Sequence, residues 1–172
     1  MTIPFQTAIL GGGIEISVGR GKGPAETLSV KVPAGIEDGK KIRLRGQGQQ
    51  VRGGTPGDIL LTVRVQSHPF FQRRDNNLIC RVPVTLGEAA LGAKVDVPTP
   101  KGTVTVNVPA GTSSGAKLRV KGHGVALKGG SAGDLLAEIL IVLPEDLDEP
   151  SRDAIRRIET RYGANPRSKL RW

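Results

Sequence analysis

One block of sequence occurs twice in this chain. Residues 30–65 read VKVPAGIEDGKKIRLRGQGQQVRGGTPGDILLTVRV and residues 106–141 read VNVPAGTSSGAKLRVKGHGVALKGGSAGDLLAEILI; every residue of the first pairs with the one 76 places later, without a gap. Val-x-Val-Pro-Ala-Gly recurs at 30–35 and 106–111, Gly46-x-Gly48 returns as Gly122-x-Gly124, Gly53-Gly54 as Gly129-Gly130, and Gly57-Asp58 as Gly133-Asp134. Solenoid repeats run roughly 20–50 residues, so this period is too long for one. It predicts a duplicated module of roughly 75–80 residues and a function that two similar surfaces serve. The likeness extends backward, since IPFQTAILGGGIEI (3–16) resembles VTLGEAALGAKVDV (84–97) at an offset of 81. The change of offset leaves five extra residues in the first copy, within the Gly19–Pro24 loop.

Size and composition narrow the classes. Modules this small bury about 60–65% of their unfolded surface. Gly and Pro sit at intervals between apolar runs, as turn punctuation does. The longest apolar runs fall far short of the about 18 residues a membrane span needs, and MTIPFQ lacks the basic and apolar regions of a signal peptide. Cys80 is the only cysteine, which excludes an intramolecular disulfide; with only His68 and His123 beside it, a four-ligand zinc site is excluded too. A reducing cytoplasm is the expected compartment. The formal charge of +9 is divided as +5 over residues 1–75, +1 over 76–147 and +3 over 148–172. Nucleic acid or an acidic peptide is thereby permitted as a partner and not required.

Apolar residues alternate almost throughout. Ile14, Ile16 and Val18, Ile42 and Leu44, Val95 and Val97, Val104, Val106 and Val108, and Leu118 and Val120 are each interleaved with polar residues. This is the period of strands with one wet face. Residues 58–65 and 134–143 read as more fully buried strands that open after a Gly-Asp turn. Thr7–Leu10 and Glu88–Leu91 are short helical stretches that Gly11 and Gly92 terminate. The fold expected is all-β: two tandem similar β-sandwich domains, each with a short helix, plus a C-terminal α-helix. The first domain is placed at 1–68, a linker at 69–77, the second domain at 78–146, the helix at 147–163 and a basic tail at 164–172. In the helix, Ile155, Ile158 and Tyr162 share one face, Pro150 suits the first turn and Gly163 the end. So narrow an apolar stripe has to pack on something, either the second module or another chain.

Catalytic constellations are not assembled. Both histidines sit in linker or glycine-rich sequence, and Asp58 and Asp134 occur one per module, which suits turn capping better than paired acid–base work. The Gly-x-Gly pairs lack the third glycine and following helix of a dinucleotide loop. The basic alternation at Lys41, Arg43 and Arg45, repeated at Lys117, Arg119 and Lys121, lacks the interleaved aromatics of single-strand binders. No enzyme, metal or cofactor is therefore expected, and nucleic-acid binding is the alternative, less favoured function. The remaining feature is apolar: Ile16 and Val18 beside Phe70-Phe71 would form a groove for side chains of an extended peptide.

Taken in order, VPAG-x4-G-x-K/R-[IL]-R-[LV]-x-G-x-G, GG-x2-GD-[IL]-L, SHPFFQR-RD-x-NL and VP-VTLGEAALGA-x-V-x-VPT closely resemble the C-terminal substrate-binding region of DnaJ-type (J-domain) co-chaperones, over the chain to about residue 162. The resemblance implies binding of unfolded or extended clients for delivery to a DnaK-type chaperone, and homodimers made by the C-terminal helix through Ile155, Ile158 and Tyr162. It assigns client binding to Ile16, Val18 and Phe71, with Ile3 at the end of the strand that carries the remaining pocket positions. Cys-x-x-Cys-x-Gly-x-Gly repeats are missing, which implies the zinc-free class. His68-Pro69-Phe70 is not the His-Pro-Asp of a J domain, so the chain is not expected to stimulate a partner ATPase. The lysines that grip a partner's acidic tail do not map here; Ile14 stands at one of them.

Overall fold

The computed structural model describes residues 1–19, 25–49, 54–127 and 129–170. Most of the first copy's longer loop, Gly53 and Trp172 lie outside the described residues. The elements run β1 (Thr2–Ile3), α1 (Phe5–Leu10), β2 (Gly12–Val18), β3 (Glu26–Val32), β4 (Lys41–Leu44), β5 (Ile59–Thr62), β6 (Arg64–Val65), β7 (Phe71–Arg74), β8 (Asn77–Thr85), α2 (Leu86–Leu91), β9 (Ala93–Thr99), β10 (Gly102–Val108), β11 (Lys117–Val120), β12 (Leu135–Val142) and α3 (Glu149–Glu159). The protein is all-β with short helices and a C-terminal α-helix.

The duplication holds at the level of register. β2 pairs with β3 as β9 pairs with β10, Ile16 opposite Leu28 and Val97 opposite Val104. β4 pairs with β5 as β11 pairs with β12, Lys41 opposite Thr62 and Lys117 opposite Glu138. Both short helices end as expected: the amide of Gly11 donates to Thr7 O (2.9 Å) and that of Gly92 to Glu88 O (3.0 Å). Glycine is required at each for two reasons. Its φ is +76° or +87°, and a Cβ would stand 2.9 Å from Ala34 N or 3.1 Å from Ala110 N. The second helix adds a capping box, with Thr85 Oγ1 accepting from Glu88 N and Glu88 Oε2 accepting from Thr85 N.

The Gly-Asp turn of each copy holds an arginine and a glycine. Asp58 Oδ1 accepts from Gly46 N (2.8 Å) and its Oδ2 from Arg43; Asp134 repeats this with Gly122 N (2.8 Å) and Arg119 Nε (2.7 Å). In both, the backbone amide of the glycine is the main reason the carboxyl stays below its ordinary range, and the arginine adds to it. These aspartates fasten turns, as their one-per-module occurrence suggested.

The two copies do not stand apart on a linker. Residues Met1–Ile141 form one compact unit. Of the expected linker, Phe71–Arg74 is a strand: it is β7, antiparallel to β8 at the edge of the four-stranded sheet β11-β12-β8-β7. Ile9, on α1 of the first copy, belongs to the large core cluster of the second, with Leu78, Val84, Val97, Leu135 and Ile139. A smaller cluster of Ile3, Ala8, Val32 and Val63 fills the first copy. A polar strut crosses between them. Arg73, a largely buried side chain on β7, donates through one guanidinium nitrogen to Gly35 O (2.8 Å) and Ile36 O (3.1 Å), while the other faces Glu37 at 3.8 Å.

Val142–Trp172 is a second unit. In it, α3 starts at Asp148, whose side chain accepts from Ser151 N (2.9 Å). It ends at Thr160, three residues before the expected Gly163, because the last turn tightens: Arg161 N reaches Ile158 O and Tyr162 N reaches Glu159 O.

Candidate functional site

A cleft of about 810 Å³ opens beside the segment 66–71. Its walls come from both copies. The cleft is lined by Phe5 and Ile9 of α1, by Phe71, by Cys80 and Val82 of β8 and by Val97 and Pro98 of β9; Ile9, Cys80, Val82 and Val97 are buried core residues, so Phe5, Phe70, Phe71 and Pro98 are the apolar side chains that reach its open part. The volume is within the roughly 300–1,000 Å³ of ligand-binding clefts, and the lining is mostly apolar, as in such sites.

Its aromatic wall is fixed by one imidazole. His68 Nδ1 accepts the amide hydrogens of both Phe70 and Phe71, each at 3.2 Å. That nitrogen is therefore the unprotonated one. The His68 ring meets Phe71 edge-on at 5.1 Å and lies 5.7 Å from Phe5, with Phe5 and Phe71 6.5 Å apart. These separations suit offset or edge-to-face packing. Arg81 N donates to Phe70 O (2.8 Å), which ties the turn to β8. Cys80 lies on the cleft wall almost wholly buried, and burial pushes its thiol up to about 11.

The residues expected to bind clients are dispersed. Phe71 lines the cleft and is half-buried, with Phe70 beside it 53% exposed. Ile16 and Val18 are half-buried on β2 and do not line that cleft. Ile3 is 0% exposed in the core of the first copy, so its side chain cannot meet a ligand there; period two puts it on the inner face, and β1 pairs with β6 over it. Phe71 joins the second copy's core because β7 is paired with β8. His68, Phe5 and the β9 residues were not among the residues expected at a site. His-Pro-Phe-Phe was a signal for the first, whereas nothing local marks the others. Of the expected dimer residues, Ile155 is half-buried on α3, while Ile158 and Tyr162 are exposed.

The basic alternation is partly spent. Arg43 is bonded to Asp58, Arg119 to Asp134, and Lys117 lies 4.0 Å from Glu138. Among the described residues no group of three or more His, Cys, Asp or Glu could hold a metal ion, and no helix is long and apolar enough to cross a membrane.

A family model described as the DnaJ C terminal domain matches residues 1–144. The chain is 45% identical over 155 residues to the protein named Chaperone protein DnaJ 1 from Streptomyces coelicolor (strain ATCC BAA-471 / A3(2) / M145), an alignment that takes in 88% of this chain and 39% of that relative. The chain thus spans well under half the length of the curated relative it matches.

Proposed function

Because the chain belongs to the DnaJ C-terminal domain family, we propose that it holds unfolded or extended client polypeptides and passes them to a DnaK-type chaperone, as the C-terminal part of a co-chaperone. The carrying observation is the open apolar cleft with Phe71 on its wall. Each large apolar side chain seated in it contributes roughly 1.5–3 kcal/mol. Association and ordering cost several kcal/mol. One or two anchors alone therefore fall well short of the about 8 kcal/mol of a micromolar complex, so each site holds a client weakly, which suits capture followed by release. Ile16 and Val18 offer a second apolar strip on β2, reached by the same extended client. The chemistry is binding alone, without cofactor or bond-making step, in the cytoplasm.

Phe71→Asp and Ile16→Asp should each weaken suppression of aggregation of a chemically denatured client at a temperature well below the variant's own melt, which Phe71→Asp lowers because Phe71 also packs on the second copy's core. Undiminished suppression by both variants rejects the cleft and the strip. Homodimers form through Ile155, Ile158 and Tyr162, in keeping with the exposure of Ile158 and Tyr162. Two weak sites in one particle raise avidity for a flexible client. Ile158→Glu should turn a concentration-dependent mass in analytical ultracentrifugation into a monomeric one; a wild-type mass that is monomeric at every concentration excludes the dimer.

A further inference from the structure

The aromatic wall of the cleft is held by a side chain rather than by a sheet. The backbone under Phe70 and Phe71 turns at Pro69, which has no amide hydrogen to give. β7 is an edge strand, and Arg81 N of β8 is already bonded to Phe70 O (2.8 Å). The amides of Phe70 and Phe71 find their acceptor outside the sheet, and both find the same atom, His68 Nδ1, at 3.2 Å each. The ring of His68 lies 5.1 Å from Phe71, 5.7 Å from Phe5 and 6.4 Å from Phe70. One imidazole thus stands among all three phenylalanines of the chain. A proton on its Nδ1 turns the acceptor into a donor, and both amide bonds are lost together.

We propose that His68 is the positioning residue of the client cleft, and that protonating its Nδ1 loosens the aromatic wall and releases the client. The inference rests on the client-binding reading and adds control by acidity to it. Imidazole is the side chain that gains its charge between about pH 5 and 8. Of the elements around it, α1 brings no titratable side chain. Arg64 of β6 is turned to Asp38 (3.9 Å). β7 and β8 bring Arg73, Arg81 and the Cys80 thiol, and β9 brings Asp96. Arg73 is held by the carbonyls of Gly35 and Ile36, Asp96 accepts from Thr105 Oγ1 (2.7 Å), and the thiol is pushed up to about 11. The other histidine does not act in this way. Thr99 Oγ1, on the cleft wall, gives its one hydrogen to Gly102 O (2.6 Å), so it accepts from His123 Nδ1 (3.1 Å), and a second proton on that ring leaves the bond in place. A client that needs the wall closed needs Nδ1 bare. Acid therefore weakens the client's hold, and the client reciprocally makes His68 harder to protonate.

The isotope-labelled chain is titrated with a capped peptide of alternating leucine and serine, arginine at each end, and followed by NMR. Affinity should fall about tenfold between about pH 8 and pH 5.5, within what one proton can do over that span. In His68→Asn the amide oxygen accepts the same two backbone hydrogens, as in an Asx turn, and takes up no proton; its affinity should be the same at both pH values. His123→Gln, which puts there the residue that Gln47 is in the first copy, should keep the wild-type fall. In free wild type the Phe70 and Phe71 amide signals should move with the His68 ring through one midpoint, which the peptide shifts to lower pH. Equal wild-type affinity at the two pH values overturns the proposal. So does an equal fall in His68→Asn, a fall lost in His123→Gln, or a midpoint that the peptide leaves unmoved. If one of these results appears while the chain still suppresses client aggregation near neutrality, the acid release falls and client binding stands. If the wild-type chain suppresses no aggregation at any pH, client binding itself falls, and the release with it.

Discussion

Ile9→Ala tests whether the two copies share one core. Ile9 is 4% exposed on α1 of the first copy and packs among residues of the second. Truncation removes three methyl or methylene groups. At about 0.8 kcal/mol each this is about 2.4 kcal/mol, and a residual cavity brings the total to about 3 kcal/mol, within the roughly 2–5 kcal/mol measured for such deletions. For a unit of this size, about 2–4 °C is lost per kcal/mol. The melt should therefore fall by roughly 6–12 °C as one transition. Hydrogen exchange should also speed up at β8 and β12, which lie in the other copy. A loss below about 1 kcal/mol, or a melt in two steps with β8 and β12 unaffected, would refute the shared core.

Two further outcomes follow from individual side chains. Cys80, almost wholly buried with its thiol pushed up to about 11, should react with a disulfide reagent near pH 8 only as fast as the chain opens, and at once when denatured; rapid labelling of the native chain would contradict its placement. Asp58, Asp134 and Asp148 are all lowered from 3.8, so each binds its proton more readily unfolded than folded. Their contribution is complete above 3.8 and is lost as pH falls through the folded values beneath it. The urea midpoint of Asp134→Asn should lie below wild type near neutrality and converge on it in acid; a gap that widens on acidification would reverse the sign.

The strands and both short helices were legible because their signals are local. Alternation at Ile14, Ile16 and Val18 needs only adjacent residues, and Gly11 and Gly92 stop helices by their own backbone geometry. The repeat likewise showed that Asp58 and Asp134 do the same turn-fastening work. What escaped was long-range. Nothing near Ile9 says that its partners are Leu78 and Leu135, and nothing near Phe71 says that pairing with Cys80 carries it into the second copy's core. Residues 69–77 look polar and turn-rich because β7 is a short edge strand whose charged Arg73 is satisfied by carbonyls of the other copy. The client positions that the family resemblance implies came out divided for the same reason. The resemblance fixes which residues correspond, while the packing of α1 and β7 decides which of them face one another.

Arg73 bears on how this joint keeps its register. Three of its contacts, to Gly35, Ile36 and Glu37, span the boundary through one planar group. One planar group on the second copy's β7 thus ties down the loop after β3 of the first, and a lysine, lacking the rigid fork, would not reproduce the three contacts.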